Sequence, residues 1–199
     1  MSSYESGAES IAAAPETRRK SLLREILETI LLTVAIYWAV NAATGRFRIQ
    51  GSSMEPTLHS GQFVITNKIS YLFSEPERGD IIVFIAPHSA VSAREDDYIK
   101  RIIGLPGETV SVNGGQVMVN GVLLHEPYIA EPPLYSRTWT IGPDEYFVLG
   151  DNRNRSNDSH DWGMLKREAI LGKAWLIYWP PGSWGLVPNH TDYSAAAAP

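Results

Sequence analysis

Two adjacent serines in the stretch GSSMEPTL, residues 51–58, are side chains that could perform covalent chemistry. A serine hydroxyl becomes an effective nucleophile only when a neighbouring base removes its proton. The familiar base is a histidine that a carboxylate orients. If Ser52 or Ser53 is a nucleophile, the rest of the chain must supply such a base.

The sequence contains five histidines, of which one has suitable neighbours. His160 lies in RSNDSHDWG, among acidic and hydroxyl side chains, and is the only histidine that we consider for a catalytic triad. The other four lie in a turn or in segments rich in Pro, Ser or Gly, as surface histidines do: His59, His88, His125 and His190.

A lysine is the alternative base, provided that burial lowers its pKa enough for a neutral amine to exist. Lys100 lies in the apolar run YIKRIIGL, where strand alternation directs it away from the face of Ile99 and Arg101. The same pattern also fits an exposed strand lysine. The remaining candidates lie near turns or other charges, as solvated lysines do: Lys68, Lys166 and Lys173.

The segments that must position these residues are short and β-like from Phe47 onward. They are rich in β-branched and aromatic residues and are separated by Gly, Pro, Asn and Asp: FRIQ, QFVITNKI, GDIIVFIA, DYIKRIIGL, ETVSV, QVMVNGVLL, EYFVLG and KAWLIYWP. VNGGQ and VNGV predict hairpin turns, because Asn-Gly tolerates positive φ angles. We therefore expect a mainly β fold, with antiparallel sheets forming a sandwich or barrel.

One membrane anchor helix is expected before this β region. Four basic residues, Arg18, Arg19, Lys20 and Arg24, precede a nearly uncharged run over residues 29–43. This run is shorter than the ~20 residues that a span needs, but residues 22–28 can extend it. Two alternatives remain open: an amphipathic core helix, and a signal peptide cleaved near Val40-Asn41-Ala42.

Composition limits the classes of partner. The 199-residue chain is 44% hydrophobic and can bury a substantial core. Its net charge of -5 supplies no basic footprint for nucleic acid, so we expect no DNA or RNA partner. The absence of cysteine excludes disulfides and thiolate metal sites, and permits an extracytoplasmic location.

Four stretches together resemble the type I signal peptidases, membrane-anchored serine endopeptidases that remove signal peptides from exported preproteins. GSSMEPTLHSGQFVI resembles the nucleophile box of that family, RGDIIVF a structural strand, YIKRIIGLPGE the lysine box and GDNRNRSNDSHDWG the last box. The resemblance covers about residues 20–180. It implies a Ser-Lys dyad without cofactor or metal, and lipid bilayer and preproteins as partners.

The resemblance implies the following domain organisation. A disordered cytoplasmic tail over residues 1–17 precedes an anchor helix over 18–44. A β-rich catalytic domain over 45–185 contains a hairpin-rich insertion at about 111–145, and a flexible tail occupies 186–199. The basic residues before the span place the N-terminus inside and the catalytic domain outside the cell membrane.

Roles for the reacting groups follow from the resemblance. Ser53 corresponds to the nucleophile and Lys100 to the general base. The backbone N–H of Ser53 contributes to the oxyanion hole, and Ser52 is structural. Gly51 occupies a position where some family members carry a serine that donates the second hydrogen bond, so the second donor here is either a backbone amide, water or the Ser52 hydroxyl.

The resemblance also implies a supporting set of residues. Ser156 corresponds to the residue whose hydroxyl orients the lysine amine, and Asp158 to a carboxylate that supports its loop. His160 stands where an arginine often pairs with that carboxylate, which makes it a loop-stabilising residue. Arg101 and Asp151 correspond to an ion pair between the lysine strand and the last box.

The substrate is expected to bind in extended form beside residues 47–54 and 96–100, with small side chains one and three residues before the cut. Pocket residues expected from the sequence are Ile49, Met54, Ile82 and Ile99. Exposed tryptophans are candidates for membrane contact: Trp38, Trp139, Trp175, Trp179 and Trp184. For Trp175 and Trp179 we favour core packing.

Two other functions remain open on the sequence alone. One is a Ser-Lys autoprotease of the SOS-repressor type, which shares the dyad but cleaves its own chain. The other is a non-enzymatic, membrane-anchored β-domain that binds partners at EPPLY and YWPPG.

Overall fold

A single long helix begins the computed structural model, which describes residues 16–87 and 97–189. Helix α1 spans Glu16–Ala43. Its segment Leu22–Ala43 is 22 residues long and apolar enough to cross a membrane, and none of it is buried. The helix therefore includes the predicted extension over residues 22–28, and it is not a core helix of the described fold. The chain divides into two compact units, Met1–Asn41 and Ala42–Pro199.

The second unit is built from twelve strands in two antiparallel sheets among the described residues, which confirms the predicted fold class. Their bounds are β1 Thr44–Arg48, β2 Phe63–Asn67, β3 Ile81–Ile85, β4 Asp97–Gly104, β5 Thr109–Asn113, β6 Gln116–Val119, β7 Val122–Leu123, β8 Arg137–Thr140, β9 Glu145–Leu149, β10 Leu165–Lys166, β11 Ile170–Trp179 and β12 Gly185–Leu186. Two one-turn helices lie between them, α2 Ser70–Phe73 and α3 Ser159–Trp162.

The larger sheet has the strand order β1-β2-β11-β3-β4-β9-β10, with β12 paired to β11. Strand β4 is central to the expected site. Its residues 97–101 pair with the whole of β3, Ile81 opposite Arg101 and Ile85 opposite Asp97. Its pairing with β9 begins only at Arg101, opposite Leu149. Residues 98–100 therefore have one backbone edge that pairs with no other strand among the described residues.

The smaller sheet has the order β7-β6-β5-β8 and contains both predicted hairpins. At the turn between β5 and β6, Gly114 and Gly115 adopt positive φ angles of 56° and 78°. Asn120 and Gly121 do the same between β6 and β7, at 52° and 80°. The second turn is the Asn-Gly turn expected, whereas Gly114-Gly115 forms the first turn and Asn113 is the last residue of β5. Glycine and asparagine both adopt positive φ angles at low cost.

Three clusters of buried apolar side chains form the core. One fills the smaller sheet and its contact with β9, and includes Val110, Trp139 and Phe147. The other two occupy opposite faces of the larger sheet, around Leu58 and Ile81 on one side and around Phe84 and Ile102 on the other. Strand β3 is buried on both faces, which fixes the sheet rigidly beneath the site.

The prediction that a flexible tail begins at residue 186 is wrong for the first residues of that segment. Residues 185–186 form β12, Val187 is buried in the core, and the Asn189 side chain accepts a hydrogen bond from the Ile81 N–H at 2.8 Å. These residues are ordered by contacts with distant strands, which their own composition does not reveal. The tail residues 190–199 and the predicted N-terminal tail residues 1–15 lie outside the described residues.

The expectations for the tryptophans need correction. Trp175 and Trp179 are half exposed on β11 rather than packed in the core, whereas Trp139 is buried in the smaller sheet and cannot contact a membrane. Aromatic side chains occur on both the buried and the exposed face of a strand such as β11. Residue type alone therefore did not show which face Trp175 and Trp179 occupy. Trp38 and Trp184 are exposed.

Candidate active site

The turn that carries the two serines is fixed by apolar side chains on either side of it. Met54 and Leu58 are fully buried, and the Leu58 N–H donates to the Met54 carbonyl at 2.9 Å. The Glu55 N–H donates to the Ser52 carbonyl at 3.1 Å. These contacts hold the turn against the core while Ser53 lies at the wall of a cleft.

Lys100 reaches this turn from strand β4. Its Nζ lies 2.9 Å from Ser53 Oγ and donates a second hydrogen bond to the Ile99 carbonyl, also at 2.9 Å. The Tyr98 ring lies 5.3 Å from the same nitrogen. Lys100 is 4% exposed, and no carboxylate in the described part of the chain forms an ion pair with it. The sequence brings together a hydroxyl and an amine from positions 47 residues apart.

Burial shifts the protonation of Lys100 toward the neutral form. Desolvation lowers its pKa from 10.5 to about 8, against the opposing charges of Asp158 and Asp151, which favour the ammonium. Near neutral pH, a buried amine with a lowered pKa is partly uncharged and can accept a proton. A solvated lysine is almost fully protonated at the same pH and cannot. The geometry and the pKa therefore suit Lys100 to the work of a base toward Ser53.

The loop that follows β9 clamps the serine turn. The Asn152 N–H donates to the Ser53 carbonyl at 3.0 Å, and Asn152 Nδ2 donates to the Ser52 carbonyl at 3.1 Å. Gly150 lies so close to the Ser53 carbonyl and to Ser156 Oγ that any side chain there would collide with both. This close approach requires glycine at position 150.

Arg101 and Asp151 form a fully buried, bidentate ion pair between β4 and this loop. The two hydrogen bonds measure 2.8 and 2.7 Å. The guanidinium also donates to the Gly79 and Pro188 carbonyls and lies 4.0 Å above the Tyr128 ring. Paired charges with several hydrogen bonds are the form in which buried ions are tolerated.

Asp158 organises the end of the loop. Its side chain accepts hydrogen bonds from the Gly150 N–H at 2.8 Å, from the His160 N–H at 3.1 Å and from the His160 ring at 2.7 Å. Burial disfavours the charged form of His160, but the hydrogen bond and charge of Asp158, followed by Asp161, outweigh this and raise its pKa. The Tyr135 ring stacks on His160 at 4.2 Å.

His160 is therefore engaged with carboxylates rather than with either serine. Its second ring nitrogen lies 3.1 Å from Asp161. His59 and His125 are exposed, and His88 and His190 lie outside the described residues. Among the other lysines, Lys68 and Lys166 are exposed as expected, but Lys173 forms a 2.6 Å ion pair with buried Asp80 rather than being fully solvated.

Ser156 is buried, but its hydroxyl does not make the hydrogen bond to the Lys100 amine that the resemblance implies. Its Oγ has no hydrogen-bond partner among the described residues, and the Ile99 carbonyl instead holds the Lys100 amine. Gly150 packs directly against the Ser156 hydroxyl.

One buried ion pair of the loop was not expected from the sequence. Arg153 donates two hydrogen bonds of 2.7 Å to Glu126 and a third of 3.0 Å to the Gly150 carbonyl. This pair ties the loop to the segment after β7. The last box contains two arginines, Arg153 and Arg155, but nothing in the sequence identified Glu126 as a partner of either.

The cleft beside Ser53 and Lys100 has a volume of about 660 Å³. Ile49 and Ile99 line it, as do Val83, Phe47 and Tyr98. The prediction for two further pocket residues is wrong: Ile82 packs with Phe84 and Ile102, and Met54 packs with Leu58. Because both faces of β3 are apolar, its sequence does not distinguish Val83, which lines the cleft, from Ile82.

The backbone at the serine turn leaves space for a developing negative charge. Gly51 adopts a φ of 83° with no heavy atom within 4 Å of where a Cβ would stand. The Ser53 N–H makes no hydrogen bond to other described residues. No group of three or more His, Asp or Glu side chains suited to a metal ion occurs in the described ranges.

Comparison with known proteins agrees with this geometry. A family model described as "Signal peptidase, peptidase S26" matches residues 23–179. A probable signal peptidase I-2 from Synechocystis sp. is 45% identical over 184 residues, which cover 91% of this chain and 83% of the relative. A signal peptidase I from Leptolyngbya laminosa is 43% identical over 189 residues, covering 91% and 92% of the two chains.

A relative from a plant organelle is also similar. Thylakoidal processing peptidase 1, chloroplastic, from Arabidopsis thaliana is 42% identical over 140 residues, which cover 67% of this chain and 41% of the relative. The resemblance stated from the four sequence stretches is confirmed, because the matched region includes all of them. The chain belongs to the signal peptidase family, peptidase S26.

Proposed function

We propose that this protein is a serine endopeptidase that removes signal peptides from exported preproteins, with Ser53 as nucleophile and Lys100 as general base. The observation that carries the proposal is the 2.9 Å contact between Ser53 Oγ and the buried amine of Lys100. Family membership supports the reaction class. The names of the relatives support the substrate class.

In the acylation step, neutral Lys100 accepts the Ser53 hydroxyl proton as Oγ attacks the scissile carbonyl carbon. The resulting tetrahedral intermediate carries a negative oxygen, to which the Ser53 N–H, which has no acceptor among the described residues, would donate a hydrogen bond. The ammonium of Lys100 then returns the proton to the departing amine. The C–N bond breaks and leaves the signal peptide as an ester on Ser53.

Deacylation repeats these roles with water as the nucleophile. Lys100 accepts a proton from the water as its oxygen attacks the ester carbon, and returns that proton to Ser53 Oγ as the ester bond breaks. The Ile99 carbonyl accepts a hydrogen bond from the Lys100 amine. This contact orients the amine so that the single lone pair of Nζ is directed toward Ser53. Ser156 acts as a positioning residue for the loop, in contact with Gly150.

The cleft fits an extended peptide. Within the described ranges, residues 98–100 of β4 have an edge that pairs with no strand, and β1 is the terminal strand of the larger sheet. Both edges line the cleft, so a substrate strand can pair with the backbone of either. Alternate substrate side chains would then face Ile49, Val83 and Ile99, whose apolar surfaces favour small residues.

Helix α1 is proposed as a single membrane span with the N-terminus in the cytoplasm. The basic residues before the span support this orientation, and the second unit then lies on the opposite side of the cell membrane. Tethering enzyme and preprotein to one bilayer raises their effective concentration.

The test is cleavage of a purified preprotein by the full chain in detergent micelles. Ser53→Ala and Lys100→Ala should each reduce the rate to background, while His160→Ala should remain active. Cleavage by Ser53→Ala at the wild-type rate would refute the assigned nucleophile. Loss of activity in Ser53→Ala and His160→Ala, with activity retained in Lys100→Ala, would instead identify a Ser-His mechanism.

A further inference from the structure

One wall of the cleft carries two arginines that have no role in the proposed reaction. Arg46 and Arg48 lie on strand β1, are exposed, and border the cleft that contains Ser53. Neither guanidinium forms an ion pair with a carboxylate in the described part of the chain. Positive charge is therefore concentrated at this wall, although the whole chain has a net charge of -5.

Strand alternation separates the side chains of β1 into two faces. Phe47 and Ile49 project to one face, where Ile49 is buried in the core. Arg46 and Arg48 project to the other face. Arg48 lies opposite Phe63 on β2, and its guanidinium lies 5.8 Å from the centre of the Phe63 ring, a contact that holds the charge on this face. Because β1 is the terminal strand of its sheet, side chains of both faces border the cleft.

A peptide strand lying in the cleft presents its side chains alternately to these two faces. The proposed function places the small residues one and three positions before the cut against Ile49 and Ile99, which pack in the same core cluster. Residues at even positions before the cut then project to the face of Arg46 and Arg48. The cleft extends from Ser53 back along β1. The fourth position before the cut therefore lies beside Arg48 and the sixth beside Arg46.

We propose that Arg46 and Arg48 recognise an acidic side chain at the fourth or sixth position before the cut, so that the enzyme prefers preproteins that carry one there. This inference rests on the proposed function. Opposite charges that lie across from each other on neighbouring strands attract, and the pair stabilises the added strand. A guanidinium also presents its donors in the geometry that a carboxylate accepts, even while its face contacts an aromatic ring.

The other charged residues that border the cleft restrict this preference to the two positions. Asp97 shares a face of β4 with Ile99, so its carboxylate disfavours an acidic side chain at odd positions. Lys100 lies beside Ser53, at the reacting end of the cleft. An acidic side chain at the second position would lie near this amine and would favour its charged, inactive form.

Two other roles are known for exposed arginines at such a place. Charged side chains on an edge strand discourage pairing between copies of a chain, and basic residues near a membrane span can contact anionic head groups. Neither role depends on which face of a bound peptide carries a charge. A preference that alternates between successive positions of the peptide is therefore specific to recognition of the substrate.

The test compares four soluble signal-sequence peptides cleaved by the full chain in non-ionic detergent without phospholipid. Three carry a single glutamate at the fourth, fifth or sixth position before the cut, and the reference carries glutamine at all three. At low salt we expect kcat/KM to exceed the reference by about two- to fivefold for glutamate at the fourth or sixth position, with no gain at the fifth. The gain should disappear at high salt. Equal rates for all four peptides, or a gain at the fifth position, would refute the inference.

Charge reversal assigns the preference to each arginine. Arg48→Glu should turn the gain at the fourth position into a loss of similar size, and Arg46→Glu should do so at the sixth. Cleavage of the glutamine peptide shows that each variant is folded. Arg137→Glu is the matched control, because Arg137 is also exposed on a strand, 5.6 Å from the Trp139 ring, but does not border the cleft. A glutamate preference that survives both reversals would contradict the assignment.

Binding of the same peptides to Ser53→Ala, measured by fluorescence anisotropy, separates this inference from the proposed reaction. Tighter binding of the peptides with glutamate at the fourth or sixth position would support the recognition even if wild type cleaved none of them, a result that would refute only the reaction. Cleavage of all four peptides with equal rates and equal binding would refute only the recognition. If Arg46→Glu and Arg48→Glu then lost activity only in phosphatidylglycerol vesicles, the arginines would be assigned to lipid head groups instead.

Discussion

Lys100 is the residue at which stability and reactivity conflict. A buried ammonium without a carboxylate in contact is costly, and the fold retains it beside Ser53. The charges of Asp158 and Asp151 reduce this cost without cancelling it, which leaves the pKa at about 8. An amine with a pKa in this range combines adequate basicity with a substantial neutral fraction.

The pH dependence of peptide cleavage should report this pKa. We expect kcat/KM to increase with pH and to level off above about 8, because the neutral amine is the active form. Rates measured on a soluble peptide between pH 6 and 10 provide the test. An acidic limb centred below 7 that disappears in His160→Ala would show that a histidine, rather than Lys100, is the base.

Lys100→Met should make the inactive protein more stable at neutral pH. Below pH 8 the amine is protonated in both the folded and unfolded states, and the folded state bears the full cost of its burial. Between about pH 8 and 10.5 the unfolded state binds more protons, so wild-type stability rises with pH. The advantage of the variant, at most on the order of 3 kcal/mol, should therefore shrink across this range.

Thermal unfolding in detergent at pH 7 and pH 10 measures this difference. Ser53→Ala is the control, since it removes the reacting hydroxyl but leaves the amine buried. A Lys100→Met variant that is less stable than wild type at pH 7 would show that the amine contributes more through its hydrogen bonds than its burial costs.

His160 should contribute to stability in a pH-dependent manner. Because its pKa is raised in the folded state, its contribution is fully present below about pH 6.5 and is lost as the pH rises through the higher folded value. His160→Ala should therefore lower the unfolding temperature more at pH 6 than at pH 9. A temperature decrease that is the same at both pH values would mean that only packing against Tyr135 is lost.

At the scale of elements, the fold depends on a buried ion pair that joins strand β4 to the loop after β9. Asp151→Asn leaves the Arg101 guanidinium buried without its carboxylate and should destabilise the protein by about 3–5 kcal/mol. The double variant Arg101→Met with Asp151→Asn should lose much less than the sum of the two single variants, because no unpaired charge remains. Urea unfolding of the single and double variants measures both values, and strictly additive losses would contradict the coupling.

The elements themselves were predictable to different degrees. Strands with strong β-branched patterns, and both predicted hairpins, lie where the sequence placed them. The short strands β8, β10 and β12 were missed, since two to four residues carry too little pattern and their pairing partners supply most of their order. The choice of Ile82 over Val83 failed because a strand buried on both faces has no polar alternation to indicate which side faces the cleft.

At the scale of the whole molecule, the long-range contacts were the features that the sequence could not predict. The serine and lysine stretches were recognisable as local patterns, and their contact follows from the antiparallel sheet. The partnership of Arg153 with Glu126, and the packing of residues 186–189 against β3 and Arg101, join segments far apart in sequence. No local composition records such contacts, so only the assembled fold reveals them.

The clamp on the serine turn has a consequence for biosynthesis. Asn152 is 100 residues downstream of Ser52, and the Pro188 carbonyl that receives Arg101 comes later still. While the nascent polypeptide emerges, its nucleophile and amine are made long before the segments that immobilise them. The serine turn and Arg101 therefore acquire their full set of contacts only after nearly the last described residues have been translated.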